Sequence, residues 1–309
     1  MLSISMKTMK ANCERTLAVV ALGMFDGVHI GHQKLIQTAV SAANRLHAMP
    51  AVYTFSNHPL SVLGGRPRLL TDTATRRSLL LQAGAEEVEL AVFDAALAHS
   101  TPEEFFARLM RRWRLAGLVA GYNFTFGDKA AGTSDTLSAL ASAHGVEAII
   151  LPPVSADGEP VSSTRIRSLL EREGDIRRAN RLLGRPYRLE GTVVANKQNG
   201  RRFGFPTANI AVPVDCVLPL VGVYATRAWV GGLQYPAVTN VGTNPTVHGD
   251  HLSVETHLIG FRGDLYGERL AVDFSARLRG EHRFESEQAL IDQIASDVEG
   301  ARRLLEKKN

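Results

Sequence analysis

Residues 16–32 read TLAVVALGMFDGVHIGH, and this stretch decides the fold of the first half of the chain. Its first seven residues are continuously apolar, apart from the leading threonine, which is typical of a strand buried on both faces of a parallel sheet. A glycine-rich turn follows, and residues 32–46 then repeat apolar side chains at helical spacing. A strand, a glycine turn and a helix in this order predict an open α/β sheet with its ligand at the carboxyl end of the strand.

The glycine-rich turn contains two histidines that point to an anion site. Gly23, Gly27 and Gly31 allow the backbone to approach a ligand closely. His29 and His32 would lie beside the free N–H groups of the first helical turn, where phosphates bind. The alternative interpretation is a glycine turn with two capping histidines. A metal site is disfavoured, because neither a thiolate nor an obvious third ligand lies nearby.

The rest of the first half alternates between the two element types. Further strand-like segments lie at residues 51–55, 88–93, 118–120 and 146–151. Helix-like segments lie at residues 72–82, 102–113 and 136–143. This alternation predicts a Rossmann-like α/β domain, with a parallel sheet covered by helices on both faces.

The second half changes to the two-residue period of strands. Five β-rich runs lie at residues 187–194, 221–230, 234–241, 252–259 and 268–278. They predict a small antiparallel β-barrel or a sandwich, and an apolar stripe over residues 286–306 predicts a terminal helix. We therefore expect an α/β domain at residues 1–184 and an all-β domain at residues 185–309.

Composition excludes several classes of protein. The 309 residues are 45% hydrophobic and 21% charged, and 35 basic against 31 acidic residues leave a net charge of only +4. The basic pairs are scattered, which disfavours a nucleic-acid-binding protein. Cys13 and Cys216 lie too far apart in the sequence to suggest a disulfide scaffold. No run is long enough to span a membrane and the first residues carry no export signal, so we expect a cytoplasmic protein.

Several motifs follow one another along nearly the whole chain. They are GMFDGVHIGH at 23–32, TFSNHP at 54–59, VSSTRIR at 161–167, GFPTANI at 204–210, TNVGTNPT at 239–246 and GDLYG at 263–267. In this order they resemble the bacterial bifunctional riboflavin kinase/FMN adenylyltransferase (FAD synthetase) family. The chain differs from the family pattern at Asn57, where proline is usual, and at Asn123, where aspartate is usual.

The resemblance implies two ATP-dependent reactions. The second domain would transfer the γ-phosphoryl group of ATP to riboflavin. The first domain would then transfer AMP from a second ATP to the FMN product, which releases pyrophosphate and gives FAD. Mg²⁺ would serve both steps.

For adenylyl transfer, the resemblance implies that His29, His32 and Arg167 are catalytic donors to the phosphate oxygens. It also implies nucleotide or flavin contacts for seven residues: Gly23, Phe25, Asp26, Gly31, Asn123, Ser163 and Thr164. The serine and threonine of SSTRIR would cap a helix whose first turn faces phosphate. Taken alone, that segment equally fits an ordinary capped surface helix.

The second domain contains neither a P-loop nor the motifs of protein kinases. The hydroxyl of Thr207 and the carbonyl oxygen of Asn209 are hard neutral ligands that suit Mg²⁺. Glu255 would be the general base if its strand face points into the barrel mouth, and otherwise a solvent-facing carboxylate. Ligand contacts are implied for Gly204, Phe205, Pro206 and Arg279.

A flavin-binding module without turnover is the remaining alternative, and such a module would have lost some of the catalytic residues. The sequence retains the five that matter most: His29, His32, Thr207, Asn209 and Glu255. We therefore expect an enzyme whose partners are the small molecules ATP, riboflavin and FMN, with no nucleic acid and no membrane. The sequence does not indicate an oligomeric state.

Overall fold

The computed structural model describes residues 15–195, 203–246 and 249–306 of the chain. The chain divides into two compact units, Met1–Ser162 and Ser163–Asn309. The segment 163–184 therefore groups with the second unit, whereas the sequence placed the domain boundary after it. The N-terminal stretch on which the expectation of no export signal rests lies outside the described residues.

The first unit is built on a five-stranded parallel sheet. Its strands are β1 (Leu17–Leu22), β2 (Met49–Phe55), β3 (Glu87–Ala91), β4 (Arg114–Gly121) and β5 (Glu147–Leu151). They lie in the order β3-β2-β1-β4-β5, so the apolar run at the start of the sequence forms the central strand. Ala18, Val19, Val20 and Ala21 are fully buried, as expected of a strand covered on both faces.

Helices cover both faces of this sheet. They are α1 (Ile30–Leu46), α2 (Pro59–Val62), α3 (Thr73–Gln82), α4 (Ala95–Ala98), α5 (Pro102–Arg112) and α6 (Ser134–Ala143). Val19 shares a core cluster with Ile36 of α1 and Leu80 of α3. Val20, one residue on, shares the opposite cluster with Phe106 of α5. A short hairpin, β6 (Ser155–Ala156) and β7 (Glu159–Pro160), follows the sheet. The predicted parallel sheet with helices on both faces is confirmed.

The second unit is a closed antiparallel barrel with helices. Its strands are β8 (Tyr187–Val194), β9 (Ala208–Ala211), β10 (Gly222–Val230), β11 (Leu233–Thr246), β12 (Gly249–Leu258) and β13 (Arg269–Arg279). They close in the order β10-β11-β12-β9-β8-β13. This confirms the barrel and excludes the sandwich alternative. The short β9 was not predicted.

The barrel interior contains a chain of hydrogen-bonded threonine hydroxyl groups. Thr226, Thr239 and Thr256 are fully buried, and their hydroxyl oxygens lie 2.8 and 3.0 Å apart in a chain across three strands. Helix α9 (Glu287–Glu306) packs on the outside of the barrel through Ala301 and Leu305. Because side chains alternate along a strand, the residues beside these threonines face the outer surface that α9 covers.

The segment before the barrel is tied to it by hydrogen bonds. It comprises α7 (Ser163–Ser168), a π-helical turn at Leu169–Glu173 and α8 (Ile176–Leu183). The side chain of Asn180 donates to the carbonyl of Phe274 at 2.8 Å and accepts from the Tyr187 N–H at 2.7 Å. These bonds join α8 to β13 and β8.

Candidate active sites

The turn after β1 has an unusual backbone. Phe25, Gly27 and Val28 have φ angles of 54°, 80° and 41°, in the left-handed region. That region is costly for a β-branched residue such as Val28. Phe25 and Val28 are at most 1% exposed, so dense packing holds them in place. Strain of this kind that is fixed by its surroundings is typical of functional turns.

Asp26 holds the turn to the chain that leads into α3. Its carboxylate is 2% exposed and accepts hydrogen bonds from the backbone N–H groups of Leu70 and Thr71, at 3.0 and 3.3 Å. Gly27 in turn donates its N–H to the hydroxyl of Thr71 at 3.2 Å. The described bonds of Asp26 are therefore structural, and a direct ligand contact from this residue stays a prediction.

The two histidines of the turn lie against each other at the start of α1. His29 is the N-cap, and its Nδ1 accepts the N–H of His32 at 3.3 Å. The two rings stack with centroids 3.6 Å apart and planes inclined by 16°. Loss of contact with water lowers the pKa of His32 well below its usual value, and electrostatic interactions with His29 and Arg76 lower it further. At neutral pH, His32 is therefore an uncharged hydrogen-bonding group beside a helix N-terminus.

Two glycines of the motif make room for these aromatic rings. A Cβ at Gly31 would lie 3.1 Å from the ring of His29, and a Cβ at Gly23 would lie 3.2 Å from the ring of Phe25. Phe25 also packs edge-on against His32, at 5.2 Å between centroids. The glycines therefore support the predicted site by allowing the rings to pack closely.

Asn57, where the family pattern has proline, makes two hydrogen bonds that proline could not make. Its side-chain amide donates to the carbonyl of Phe93 at 2.8 Å, and its carbonyl oxygen accepts the Phe93 N–H at 2.8 Å. The pair joins the chain beyond β2 to the chain beyond β3. The departure from the family pattern thus has a structural role at the edge of the sheet.

The other predicted contacts of adenylyl transfer lie in two places. Asn123 is exposed just beyond the end of β4, and β4 neighbours β1 in the sheet, so it shares an edge with the histidine turn. Ser163, Thr164 and Arg167 lie on α7, which belongs to the second unit. Their phosphate contacts stay predictions. On the same helix, Arg165 pairs with Glu173.

The residues predicted for the kinase reaction line up across the barrel. Asn209 of β9 is the register partner of Glu255 in β12, and Glu255 is the partner of Asn240 in β11. The row continues through Val223 in β10 to Arg279 in β13. Directly paired residues share one face of a sheet, so these five side chains lie on one side of the barrel wall. Five distant stretches of sequence thus form one row.

Four residues of this row, Val223, Asn240, Glu255 and Arg279, line a cavity of about 480 Å³ between the barrel and α9, and Asn209 is their buried neighbour. The lining residues are Phe203, Phe205, Thr207, Val223, Val238, Asn240, Glu255, His257, Arg279, Glu281, His282, Arg283, Phe284, Leu290, Ile294, Asp297 and Val298. Apolar side chains from the barrel and from α9 form one part of the wall, and polar and charged side chains, among them Asn240, Glu255 and Arg279, form the rest. Glu255 therefore faces this pocket on the outer surface of the barrel and not the barrel interior.

A second cavity, of about 320 Å³, lies beside the first. Its lining comprises Val193, Pro206, Thr207, Ala208, Leu258, Phe261, Arg262, Gly263, Asp264, Leu265 and Tyr266. Thr207 lines both cavities, so the predicted metal ligand stands where the two meet. The GDLYG motif, for which the sequence analysis predicted no role, forms one wall of this second cavity.

The loop that carries Thr207 is fixed by a histidine. His257 Nδ1 donates to the Pro206 carbonyl at 2.8 Å, and the ring of Phe205 packs edge-on against the ring of His257 at 5.6 Å. Gly204, with a φ of 82°, allows the turn into this loop. His257 also lines the larger cavity, so one side chain both fixes the loop and forms part of the cavity wall.

Arg279 is held by a carboxylate of the last helix. Its Nη2 and Nε donate to Asp297 at 2.8 and 3.0 Å, and Asp297 also accepts from Gln293 at 2.9 Å. Asp297 is 7% exposed. The pair ties α9 to β13 at the cavity wall, and the predicted phosphate contact of Arg279 stays a prediction. Asp297 and Asn240 were both missed, because only the register and the docking of α9 bring them to the pocket.

Comparison with known proteins matches a separate family model to each of the two parts of the chain. The family model described as FAD synthetase matches residues 11–165, and the model described as riboflavin kinase matches residues 183–305. The bifunctional riboflavin kinase/FMN adenylyltransferase of Bacillus subtilis is 35% identical over 93% of this chain and 92% of its own. The protein of the same name from Pseudomonas fluorescens is 36% identical over the same shares.

A solved structure from Streptococcus pneumoniae, titled a macrolide-efflux protein, matches with a TM-score of 0.86. It is 33% identical, and the match covers 94% of this chain and 96% of that one. Within the ranges that the structure describes, no helix is long and apolar enough to cross a bilayer. Two family models and full-length relatives agree, and the chain belongs to the bifunctional riboflavin kinase/FMN adenylyltransferase family.

Proposed function

We propose that the barrel unit phosphorylates riboflavin and that the histidine turn of the first unit serves adenylylation of FMN. As a member of its family, the chain is a transferase that makes FMN and FAD with ATP as the donor. One observation carries the assignment of the kinase site. Glu255 and Asn240 line a large pocket, Asn209 is the register partner of Glu255, and Thr207 lines both that pocket and a second one.

Riboflavin would occupy the larger cavity and ATP the smaller one. The apolar wall formed by the barrel and α9 suits a flat aromatic ring system, and the polar row suits a ribityl chain. ATP in the smaller cavity would bring its phosphates to Thr207, at the junction of the two. This arrangement would place the nucleophile and the phosphoryl donor on opposite sides of the same loop.

In the kinase reaction, the ribityl C5′ hydroxyl attacks the γ-phosphorus of ATP. Glu255 accepts the hydroxyl proton as the new O–P bond forms and the bond from the γ-phosphorus to the β-bridging oxygen breaks. FMN and ADP are the products. Asn209 and Asn240, opposite Glu255 on either side, would hold the carboxylate and the substrate in position by hydrogen bonds.

The residues around Thr207 fit Mg²⁺. A neutral hydroxyl, the amide of the 9%-exposed Asn209 and the adjacent carboxylate of Glu255 are oxygen ligands of the kind Mg²⁺ takes together with phosphate. Thr207 and Asn209 would hold the ion. When bound, it would neutralise charge that develops on the transferred phosphoryl group.

In adenylyl transfer, a phosphate oxygen of FMN attacks the α-phosphorus of ATP and pyrophosphate leaves. The FMN phosphate is already ionised, so the step requires no general base. The N–H groups at the start of α1, with His29 and His32, would stabilise charge on the α-phosphate oxygens. Arg167, Ser163 and Thr164 are proposed as further phosphate contacts, and Asn123 as a flavin or nucleotide contact.

The proposed partners are the small molecules ATP, riboflavin and FMN, and the proposed location is the cytoplasm, where ATP is available.

The test of the proposed function is direct. Purified protein is incubated with riboflavin, ATP and Mg²⁺, and FMN and FAD are separated by chromatography. Wild type should form both products, Glu255→Gln should lose FMN formation, and His29→Ala should accumulate FMN. A protein that forms neither product would refute the proposal.

A further inference from the structure

His257 of β12 lies on the same face of its strand as Glu255. Side chains alternate along a strand, so residues 255 and 257 share one face, while Thr256 between them points into the barrel and is fully buried. Glu255 and His257 both line the larger cavity. The proposed general base is therefore followed, two residues on, by a histidine that the proposed reaction does not use.

The pairing between β9 and β12 ends just before the predicted metal ligand. It comprises two residue pairs, Asn209–Glu255 and Ala208–Thr256. Thr207 precedes the first residue of β9. In the described part of the barrel, the pairing of these two strands therefore fixes the backbone of Asn209 and stops one residue short of Thr207.

The side chain of His257 holds the chain at this point. Its Nδ1 donates to the carbonyl of Pro206 at 2.8 Å, because a carbonyl oxygen can only accept. The proline ring fixes the φ angle of residue 206, and the bond to its carbonyl orients the planar peptide that leads to residue 207. With both backbone angles of residue 206 fixed, the Cα of Thr207 is held at the junction of the two cavities.

The ring of His257 makes a second, separate contact with the same loop. It packs edge-on against the ring of Phe205, with centroids 5.6 Å apart and planes inclined by 83°. Phe205 lines the larger cavity, and Pro206 lines the smaller one. The ring contact therefore faces the proposed riboflavin cavity, and the hydrogen bond faces the proposed ATP cavity. Substitution can remove one contact and retain the other.

We propose that His257 is a positioning residue of the kinase reaction, which holds the metal ligand Thr207 in place through the carbonyl of Pro206. This role rests on the proposed function of Thr207 and Asn209 as Mg²⁺ ligands. Residues that orient metal ligands through hydrogen bonds typically contribute about 10–100-fold to metal affinity or activity. Because strand pairing holds Asn209 and a side chain holds Thr207, loss of the His257 bond should displace one ligand and leave the other.

Two substitutions separate the hydrogen bond from the packing. His257→Phe retains an aromatic ring against Phe205 and removes the donor to Pro206. His257→Asn removes the ring and retains an amide donor near the position of Nδ1. We expect His257→Phe to raise the Mg²⁺ concentration for half-maximal riboflavin phosphorylation about tenfold. His257→Asn should keep the Mg²⁺ dependence of wild type.

The experiment measures metal binding directly as well as turnover. Each variant is titrated into a Mn²⁺–ADP mixture, and the EPR spectrum reports its affinity for the complex. Riboflavin affinity is measured by quenching of flavin fluorescence. In His257→Phe, the Kd for Mn²⁺–ADP should rise about tenfold, while the Kd for riboflavin and the Tm stay near those of wild type. A merely structural role would lower the Tm and weaken riboflavin binding as well.

Ser253→Ala is the matched control. Ser253 lies on the same face of β12, and its hydroxyl donates to a backbone carbonyl, that of Gly242, at 3.4 Å. It lines neither cavity, so its loss should leave the affinity for Mn²⁺–ADP unchanged. Wild-type affinity in His257→Phe would overturn the inference. An equal loss in His257→Asn or in Ser253→Ala would overturn it too, because the bond to Pro206 would then not be the cause.

Three further outcomes keep this inference apart from the proposed function. If Thr207→Ala leaves the affinity for Mn²⁺–ADP unchanged, the proposed metal site itself fails. If Thr207→Ala weakens that affinity and His257→Phe does not, only the role of His257 fails. If His257→Phe does not fold, His257→Leu, which likewise lacks the donor, is judged by the same criterion.

Discussion

Glu255→Gln is the substitution that most directly tests the kinase site. It preserves the size of the side chain and its place between Asn209 and Asn240, but removes the carboxylate that is proposed to accept the proton. A positioned general base contributes about 10²–10⁴-fold to a rate. Phosphoryl transfer has a loose transition state in which positioning and charge neutralisation carry much of the effect. We therefore expect kcat to fall about 10²-fold, which corresponds to about 2.7 kcal/mol.

The assay follows FMN formed from riboflavin and ATP, with initial rates at several riboflavin concentrations. The KM for riboflavin should change little, because the lost interaction matters mainly in the transition state. Glu190→Gln is the matched control. Glu190 is also a strand carboxylate of the barrel, but it pairs with Arg269 and lines neither cavity.

FAD formation from supplied FMN provides an internal control, because it uses the first unit and should be unchanged. Kinase turnover within a few-fold of wild type would refute the reasoning and make Glu255 an ordinary strand carboxylate. Equal loss in Glu190→Gln would show that any carboxylate of the barrel matters to the fold.

Three other predictions follow from the two sites. His29→Ala removes a proposed donor to the phosphate oxygens, so FAD formation should fall about 10²–10³-fold while FMN formation is unchanged, as measured by chromatography of both products. Equal loss of both activities would contradict separate sites. Asp297→Asn weakens the charged hydrogen bonds between Asp297 and Arg279 by about 1.5–3 kcal/mol, so the KM for riboflavin should rise and the Tm should fall. FAD formation from FMN should persist, and unchanged riboflavin binding would contradict a role for α9 in the pocket. The fragment 163–309 should fold and phosphorylate riboflavin. The fragment 185–309 lacks α7 and α8, so calorimetry should show a lower Tm for it than for the fragment 163–309. Equal Tm values would show that these helices do not stabilise the barrel.

Elements with strong local patterns could be predicted from the sequence. The apolar run at 16–22 gave the central strand because a strand covered on both faces needs no alternation. The glycine turn and α1 could be predicted because the continuous apolar run is followed by glycines and then by apolar side chains at helical spacing. By contrast, β9 (Ala208–Ala211) is only four residues long and follows a proline, so it has too little pattern to be recognised.

The row across the barrel could not be predicted in the same way. The sequence named Asn209, Glu255 and Arg279 separately, on the strength of a family resemblance. Their alignment depends on the register of five strands, which the barrel closure sets, and Asn240 enters the site only through that register. The docking of α9 likewise determines that Asp297 meets Arg279.

The burial of Arg76 is a second feature that could not be predicted from the sequence. On the sequence, Arg76 and Arg77 are adjacent and chemically identical, and charged residues are almost always exposed. Only the orientation of α3 against the sheet distinguishes them, because it buries one and leaves the other in solvent. A helix whose apolar stripe is weak gives no indication of which charged residue faces inward. Such a residue can be recognised only when the tertiary packing is known.

The position of the domain boundary likewise depends on tertiary contacts that the sequence pattern does not show. Composition changes at Gly184, because the β-rich pattern begins there, but stability depends on contacts that composition does not report. Asn180 bonds to Phe274, which lies 94 residues further along the chain, and Leu220 donates its N–H to the carbonyl of Leu170 at 2.8 Å. The two family models leave residues 166–182 unmatched, yet Leu170 is fully buried. A segment that neither family model covers is therefore part of the structural core of the barrel unit, and the kinase fold begins before the point where its sequence pattern begins.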